Sequence, residues 1–361
     1  MTEIRSWLSE PLDRQVERAL QRLAEAPGVR RVAVMPDVHL SRDVCVGTVL
    51  ATDAIVYPQA VGGDIGCGMA TARIGADVGL LDAPAAEAVL GDLKHAVPIV
   101  RHARARDAPD VERLDAGLRR RVVRDARVQF ATLGRGNHFV ELQADECGEL
   151  WLAVHSGSRA LGPAIRDHHL RGRRGLVDLR GGEAAGYLRD HDLAVGFAQA
   201  SRRAMAVAVE QRLRERFGVE LYWSTWFDVT HNFVRHEVHD GESLMVHRKG
   251  ACSADAGERG IIPGSMGTAT FHVEGRGCAA ALRSSSHGAG RRLPRGEAMR
   301  RISPQQLERQ LHGVAFDRSL ARRLCDEAPR AYRDIGKVMR AQRELVRIVR
   351  TLAPVLSYKG G

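Results

Sequence analysis

The chain has 361 residues, 44% of them hydrophobic and 27% charged, enough to bury one large core or two ordinary ones. No apolar run approaches the roughly 18–20 residues that a membrane-spanning helix needs, so the composition excludes a membrane-spanning or disordered chain. The net charge is +10, and of 54 basic residues only Lys94, Lys249, Lys337 and Lys359 are lysines, leaving an arginine-rich surface suited to phosphate or produced by a biased genome composition.

Taken in order, Val16, Leu20 and Leu23 share one helical face before Pro27-Gly28, which predicts an opening helix. RRVAVMPDV then reads as a buried strand. GGDIGCG carries four glycines in seven residues and is predicted to be a loop that brings backbone close to a ligand. Residues 80–127 read as helices around loops. FATLGRGNHFVELQ and ELWLAVHSGSR are strand-like runs interrupted by polar residues, where chemistry is to be sought. Residues 160–218 are predicted to be a helical insertion, with Leu193, Phe197, Ala200, Ala204 and Val207 approximating its apolar stripe. Strands return at LYWSTWFDVTHNFV, SLMVHRKGAC and TATFHVEG. A last helix is expected over 330–352 from the spacing of Ile335, Val338, Met339, Val346, Val349 and Leu352, ending before Pro354 and leaving a short tail. Without repeats or a low-complexity linker, a single α+β domain over 1–361 is the predicted architecture.

The start MTEIRSWLSEPLDRQ lacks the features of a secretory signal, which predicts a cytoplasmic location. Six cysteines are spread thinly, the opposite of a disulfide framework. Asp64, Cys67, His138, His155, His231 and His287 stand out as candidate metal ligands in loop-like, glycine-bearing segments. A thiolate, imidazoles and a carboxylate suit a divalent transition metal, and more than four such groups permit two ions sharing a ligand. Any one histidine is more often structural. Small and hydroxyl neighbours in GNH, VHSGSR, THN and SHGAG raise the set above that expectation. Softness of the donors by itself suggests zinc. IIPGSMGTAT and SHGAGRRLPR can form anion-binding nests, although neither matches the P-loop pattern. Lys249 and Lys359 are conspicuous in so lysine-poor a chain; ordinary solvated charge is the alternative for both.

The segments MPDVH (35–39), GGDIGCG (62–68), LGRGNHFVE (133–141), VHSGSRALG (154–162), HRKGA (247–251), PGSMGTA (263–269), SHGAGR (286–291), EAPRAYRDI (327–335) and the terminal YKG occur in the order found in the RtcB family of RNA ligases, and the resemblance covers nearly the whole chain. It implies an α+β domain with mixed and antiparallel sheets around a metal cleft. It also implies a Mn²⁺- and GTP-dependent ligase, with two ions, that joins an RNA 3′-phosphate or 2′,3′-cyclic phosphate to a 5′-hydroxyl through a histidine-GMP intermediate, in RNA repair or tRNA splicing. Carried over by motif, the nucleophile is His287. The Mn²⁺ ligands are Asp64, Cys67, His138, His155 and His231, with Cys67 able to bridge. Asn137 meets the nucleotide phosphates, Glu141, Ser265, Tyr332 and Lys359 hold guanosine, and Arg159 and Lys249 meet phosphate or RNA. Arg135 in LGRGNH, the segment LSRDVCVGTVL after MPDVH, and an extra terminal glycine depart from the family text. Two rival readings use the same residues: a metal-dependent cyclic phosphodiesterase with water as nucleophile, and a non-catalytic RNA-binding protein resting on charge.

Overall fold

Apolar periodicity sets most of the elements in the computed structural model, which describes residues 2–360. The first helix, α1 (Arg14–Ala24), starts on Asp13, whose side chain accepts from the Gln15 backbone N–H, and buries Val16, Leu20 and Leu23 as their spacing predicts. A five-stranded sheet has the spatial order β1 (Glu3–Ser6), β2 (Val29–His39), β3 (Val46–Thr52), β9 (Glu242–Lys249) and β8 (Asn232–His239), with β1 parallel to β2 and the other neighbours antiparallel. An eight-stranded sheet runs β11 (Arg259–Pro263), β12 (Thr270–Gly275), β15 (Val346–Lys359), β5 (Phe139–Asp145), β6 (Glu149–Ser156), β4 (Gly68–Asp77) and β7 (Leu221–Thr230), with β14 (Ala315–Phe316) beside β15. The small pair β10 (Ala251–Ser253) and β13 (Ser284–Ser286) ends one residue before His287. The expected α+β architecture with mixed and antiparallel sheets is what forms.

The helices α2 (Ala83–Ala96) and α3 (Ala116–Gln129) occupy the region read as helical, followed by α4 (Leu161–His169) and the 37-residue α5 (Gly181–Phe217). Three short helices, α6 (Arg295–Arg301), α7 (Pro304–Gln310) and α8 (Ile335–Ala341), lie in the C-terminal third. Helix α5 contributes Phe197 to one apolar cluster and Met205, Val209 and Leu213 to another under the large sheet. Its buried face is rotated from the expected stripe: Ala194, Ala198, Ser201, Arg202 and Ala206 are buried, while Val207 is 49% exposed. The difference has a simple cause, since Ser201, Arg202 and Glu210 are buried polar residues that an apolar count cannot register.

Two further expectations are corrected. Residues 130–138 are turn and loop, so only the final FVELQ of FATLGRGNHFVELQ is strand. The predicted helix over 330–352 is instead the seven-residue α8 followed by the 14-residue β15. Its β-branched residues fill the slot between β12 and β5, and Pro354 is accommodated at a register shift in the β15–β5 ladder. Consequently the C-terminus is no loose tail: Lys359 pairs with Phe139 inside the sheet. The extra glycine at 361 lies outside the described residues.

Candidate active site

The ends of the large sheet deliver the soft and imidazole side chains to one point. Cys67 immediately precedes β4, His155 is near the end of β6, and His231 is the single residue between β7 and β8. The loop carrying Cys67 lies against α5, where Gly66 has φ +74° and an added Cβ would stand 2.9 Å from the Val195 Cα, so only glycine fits. His231 N–H donates to the Cys67 carbonyl, and the Gly66 N–H to that of Asn232, at 2.8 Å each. Asn232 in turn donates from Nδ2 to the Asp64 carbonyl and accepts from the Gly250 N–H.

Arg202, fully buried on α5, is the deepest support of this arrangement. Its guanidinium donates to the carbonyls of Gly66 at 2.8 Å and Ser156 at 2.7 Å, and forms a two-pronged pair with Asp228 on β7. Three elements that carry metal-ligand candidates are therefore tied to one side chain. Neither Arg202 nor Asn232 was singled out in the sequence; a lone arginine in an arginine-rich helix gives no signal.

His138 and His155 are oriented alike. The Nδ1 of His138 lies 3.0 Å from the Leu133 carbonyl and that of His155 lies 3.1 Å from the Asn137 carbonyl, which turns both Nε2 atoms inward. The Cys67 Sγ is 3.5 Å from His138 Nε2 and 3.3 Å from His155 Nε2, His138 Nε2 is 3.1 Å from Asp64 Oδ2, and His155 Nε2 is 3.4 Å from His231 Nε2. Cys67, His155 and His231 form one triad with ligand atoms within 4.8 Å of one another, and Asp64, Cys67 and His138 form a second. Cys67 is common to both. Burial pushes the Cys67 thiol well up, reinforced by the Asp64 charge, and pushes His155 and His231 well below the usual imidazole range. Inward-facing lone pairs on desolvated imidazoles beside a sulfur and a carboxylate fit a divalent cation, and the shared thiol fits two.

His287 stands next to this cluster, its ring centroid 4.9 Å from that of His231. Its Nδ1 is 2.6 Å from Oδ2 of Asp37, a fully buried carboxylate whose oxygens have no other polar partner among the described residues. The acid lies against Nδ1, so Nε2 is the ring nitrogen without a carboxylate beside it. Asp37 lies within MPDVH, yet nothing in the sequence alone marked it for a role.

A cavity of about 350 Å³ joins these groups to a second cluster. Asn137, Glu141, Ser265, Tyr332, Lys359 and Lys249 all line it together with Asp64, Cys67, His155, His231 and His287. His138 touches Cys67 from behind, and Arg159 lies outside the lining with its charge within reach of Asp64. At the far end, Glu327 accepts from Lys359 Nζ and Tyr332 Oη at 2.7 Å each, from Arg291 at 2.6 Å and from Arg295 at 2.8 Å. Burial acts to raise its pKa, but Lys359, Arg291 and Arg295 outweigh that and hold the carboxyl down to about 2. Glu327 organises this end, a role that its place in EAPRAYRDI does not signal. Glu141, buried on β5, accepts from Ser357 and Gln143 at 2.8 Å each, and burial raises its pKa. Ser265 is engaged with Thr268 in its glycine-rich turn. Lys249 is 8% exposed, donates to the carbonyls of Val44 at 2.7 Å and Arg42 at 3.3 Å, and is lowered to about 8 by burial.

The family model described as tRNA-splicing ligase RtcB matches residues 19–123 and 103–360. The chain belongs to the RtcB family. Its relatives include RNA-splicing ligase RtcB1 of an Escherichia coli strain, 34% identical over 97% of this chain and 95% of that protein. RNA-splicing ligase RtcB of E. coli K12 is also 34% identical, over the same shares of each chain. The tRNA-splicing ligase RtcB of Thermococcus kodakarensis is 27% identical over 96% of this chain and 91% of its own. Membership spans both clusters and the C-terminal strand that joins them. Among the described residues, no helix of this RtcB-family chain is long and apolar enough to cross a membrane.

Proposed function

We propose that this chain is an RNA ligase that uses GTP and Mn²⁺ to join an RNA 3′-phosphate or 2′,3′-cyclic phosphate end to a 5′-hydroxyl end. The observation that carries the reading is His287, held by Asp37 at 2.6 Å and set against His231 in a cavity reaching the Glu327–Lys359 cluster. The names of the relatives, RNA-splicing and tRNA-splicing ligases, support the substrate class. Asp64, Cys67, His138, His155 and His231 would hold the metal, two ions with Cys67 in common, supplying positive charge against which phosphoryl groups react.

The chain's own groups account for the remaining steps. Asp37 keeps a proton on Nδ1 of His287 and directs the Nε2 lone pair at the α-phosphorus of GTP; the N–P bond forms as the bond to diphosphate breaks. A 3′-phosphate oxygen of RNA, formed where the end is a cyclic phosphate by water adding to phosphorus as the P–O2′ bond breaks, then takes the GMP from His287, restoring the imidazole. The 5′-hydroxyl attacks the activated phosphate, GMP leaves, and a phosphodiester results. Asn137 meets the nucleotide phosphates, while Glu141, Ser265, Tyr332 and Lys359 hold guanosine. Glu327 keeps Lys359 and Tyr332 in place for that contact.

Intact mass after incubation with GTP and Mn²⁺ tests the reading. One added GMP is expected, absent in His287→Ala, whose unchanged circular dichroism would show a persistent fold. An adduct undiminished in that variant removes His287 as nucleophile. Cleavage of a cyclic phosphate end without any adduct would favour water as nucleophile instead.

A further inference from the structure

The ligase reading leaves one proton without a destination. His287 attacks through a lone pair and the RNA 3′-phosphate through an anionic oxygen, so neither step releases a proton. The 5′-hydroxyl must lose one as it attacks the activated phosphate, and a positioned base speeds that transfer. Most basic groups of the cavity wall are committed. Glu141 accepts from Ser357 and Gln143, and Lys249 donates to the carbonyls of Val44 and Arg42. Asp64, His155 and His231 belong to the candidate metal centre. The restored His287 still has its Nε2 against the GMP it has just given up.

His39 is not committed. It is the last residue of β2 and lines the cavity with Val46, Gly250 and His287. The β2–β3 ladder breaks after Val34 and resumes where His39 pairs with Val46. A Cβ on Gly250 would stand 2.2 Å from Val46 Cγ1 and 3.1 Å from His287 Cε1, so bare backbone separates the partner of His39 from the nucleophile. Asp37 ties the two imidazoles together: its Oδ2 is 2.6 Å from Nδ1 of His287 and its carbonyl is 2.9 Å from Nδ1 of His39. A carbonyl only accepts, so Nδ1 of His39 carries the proton and Nε2 keeps the lone pair. No hydrogen bond engages that Nε2 among the described residues. Arg333 holds both walls, donating from its side chain to the Val38 carbonyl at 2.6 Å and from its N–H to the Gly290 carbonyl at 3.0 Å. Burial favours the neutral His39 ring and lowers it to about 4; Asp37 opposes this, while His287 and Arg333, the latter 3.6 Å from Glu10, add to it.

Resting on the RNA-ligase reading above, we propose that His39 is the base of the sealing step. Its Nε2 takes the proton of the 5′-hydroxyl as the bond from O5′ to the 3′-phosphorus forms and the bond from that phosphorus to the GMP oxygen breaks. GMP departs with the electron pair, and the imidazolium gives its proton to solvent as the cavity empties. During GMP addition the same ring is a spectator. Asp37 thus sets the tautomers of two imidazoles, the nucleophile through its side chain and the base through its main chain.

The experiment follows single turnovers of the full chain with Mn²⁺, GTP and two oligoribonucleotides, one ending in a 3′-phosphate and one beginning with a 5′-hydroxyl, so that no cyclic end has to be opened. Protein-bound GMP is read by intact mass, and RNA bearing GMP on its 3′-phosphate and sealed RNA are read on a gel. His39→Ala and His39→Gln should seal about 100-fold more slowly while GMP addition falls by less than about threefold, so that GMP-capped RNA accumulates. Added imidazole should raise sealing by His39→Ala about 10-fold, raise it less in His39→Gln, whose side chain fills the space, and leave the unmodified protein unaffected. Sealing at the unmodified rate in both variants overturns the proposal and gives the proton to His287 or to water. Loss of GMP addition in step with sealing also overturns it, since His39 would then serve to hold His287. Slow sealing that imidazole leaves unchanged overturns it too, reducing His39 to a part of the cavity wall. Should the unmodified protein form no GMP adduct, the ligase reading itself fails and the proposal falls with it.

Discussion

The two ends of the active-site cavity solve the problem of buried polar groups in opposite ways. At one end, Cys67, His155 and His231 are desolvated and biased by burial towards their neutral forms, with imidazole Nε2 atoms facing one another. On the proposed metal-binding reading, a cation from outside would satisfy its ligand atoms. At the other, Glu327 is met by Lys359, Tyr332, Arg291 and Arg295, all from the chain itself. That end is complete as it folds, and a nucleotide would borrow a group from an existing network. On that reading the contrast separates a centre whose stability would depend on its ligand from one whose stability is intrinsic.

The largest effect expected at the metal end is that of Cys67→Ser. Losing the donor common to both triads should reduce Mn²⁺ retained after dialysis to below one ion per chain and remove GMP addition with it. Full metal content in that variant would dissolve the contrast, returning Cys67 to an ordinary core thiol. Arg202→Met comes next: it strips the shared support from Gly66, Ser156 and Asp228, leaving the Asp228 carboxylate without its partner. A loss of about 3–5 kcal/mol on urea unfolding is expected, and Mn²⁺ should recover part of it by mass action. Failure of added metal to raise the stability of the unmodified protein would count against a ligand-dependent end.

Lys359→Ala probes the other end. With Arg291 and Arg295 still on Glu327, about 1–3 kcal/mol should be lost, Mn²⁺ retention should be unchanged, and GMP addition should need roughly 10-fold more GTP while discriminating less against ATP. Altered metal retention would show that the two ends are not separable. The smallest effect concerns acid. Glu327 and Glu237, the latter favoured as carboxylate by Arg248 and Arg235 against the opposing effect of burial, are each held down to about 2 from 4.5. A depressed folded-state value contributes stability that is present above about pH 4.5 and is lost as pH falls towards about 2. Tm should therefore decline over that window, and Glu237→Gln, on the five-stranded sheet away from the cavity lining, should reduce the slope of the decline. An identical slope would assign acid sensitivity elsewhere.

The sites most legible in the sequence were those whose chemistry is local. GGDIGCG, GNH, VHSGSR, THN and SHGAG each place a ligand-type side chain beside small residues, and five of those side chains, Asp64, Cys67, His138, His155 and His231, meet in space. Asp37, Asn232 and Glu327 were harder to see, because an acid or amide in a motif acquires its meaning only from the distant group it touches. Lys359 was suspected from lysine scarcity and family resemblance, but its environment depends on a strand that the spacing of Val346, Val349 and Leu352 disguised as helix.

By itself, the sequence determined the α+β class, the opening helix, the glycine loops and the inventory of donors, all of which follow from steric freedom, short-range periodicity and side-chain chemistry. Tertiary structure alone decided that residues 346–359 form a strand, since their conformation is set by unfilled hydrogen bonds and apolar surface on β12 and β5. It likewise decided which face of α5 is buried, because Arg202 is worth burying only where two carbonyls and the Asp228 carboxylate converge to replace its water.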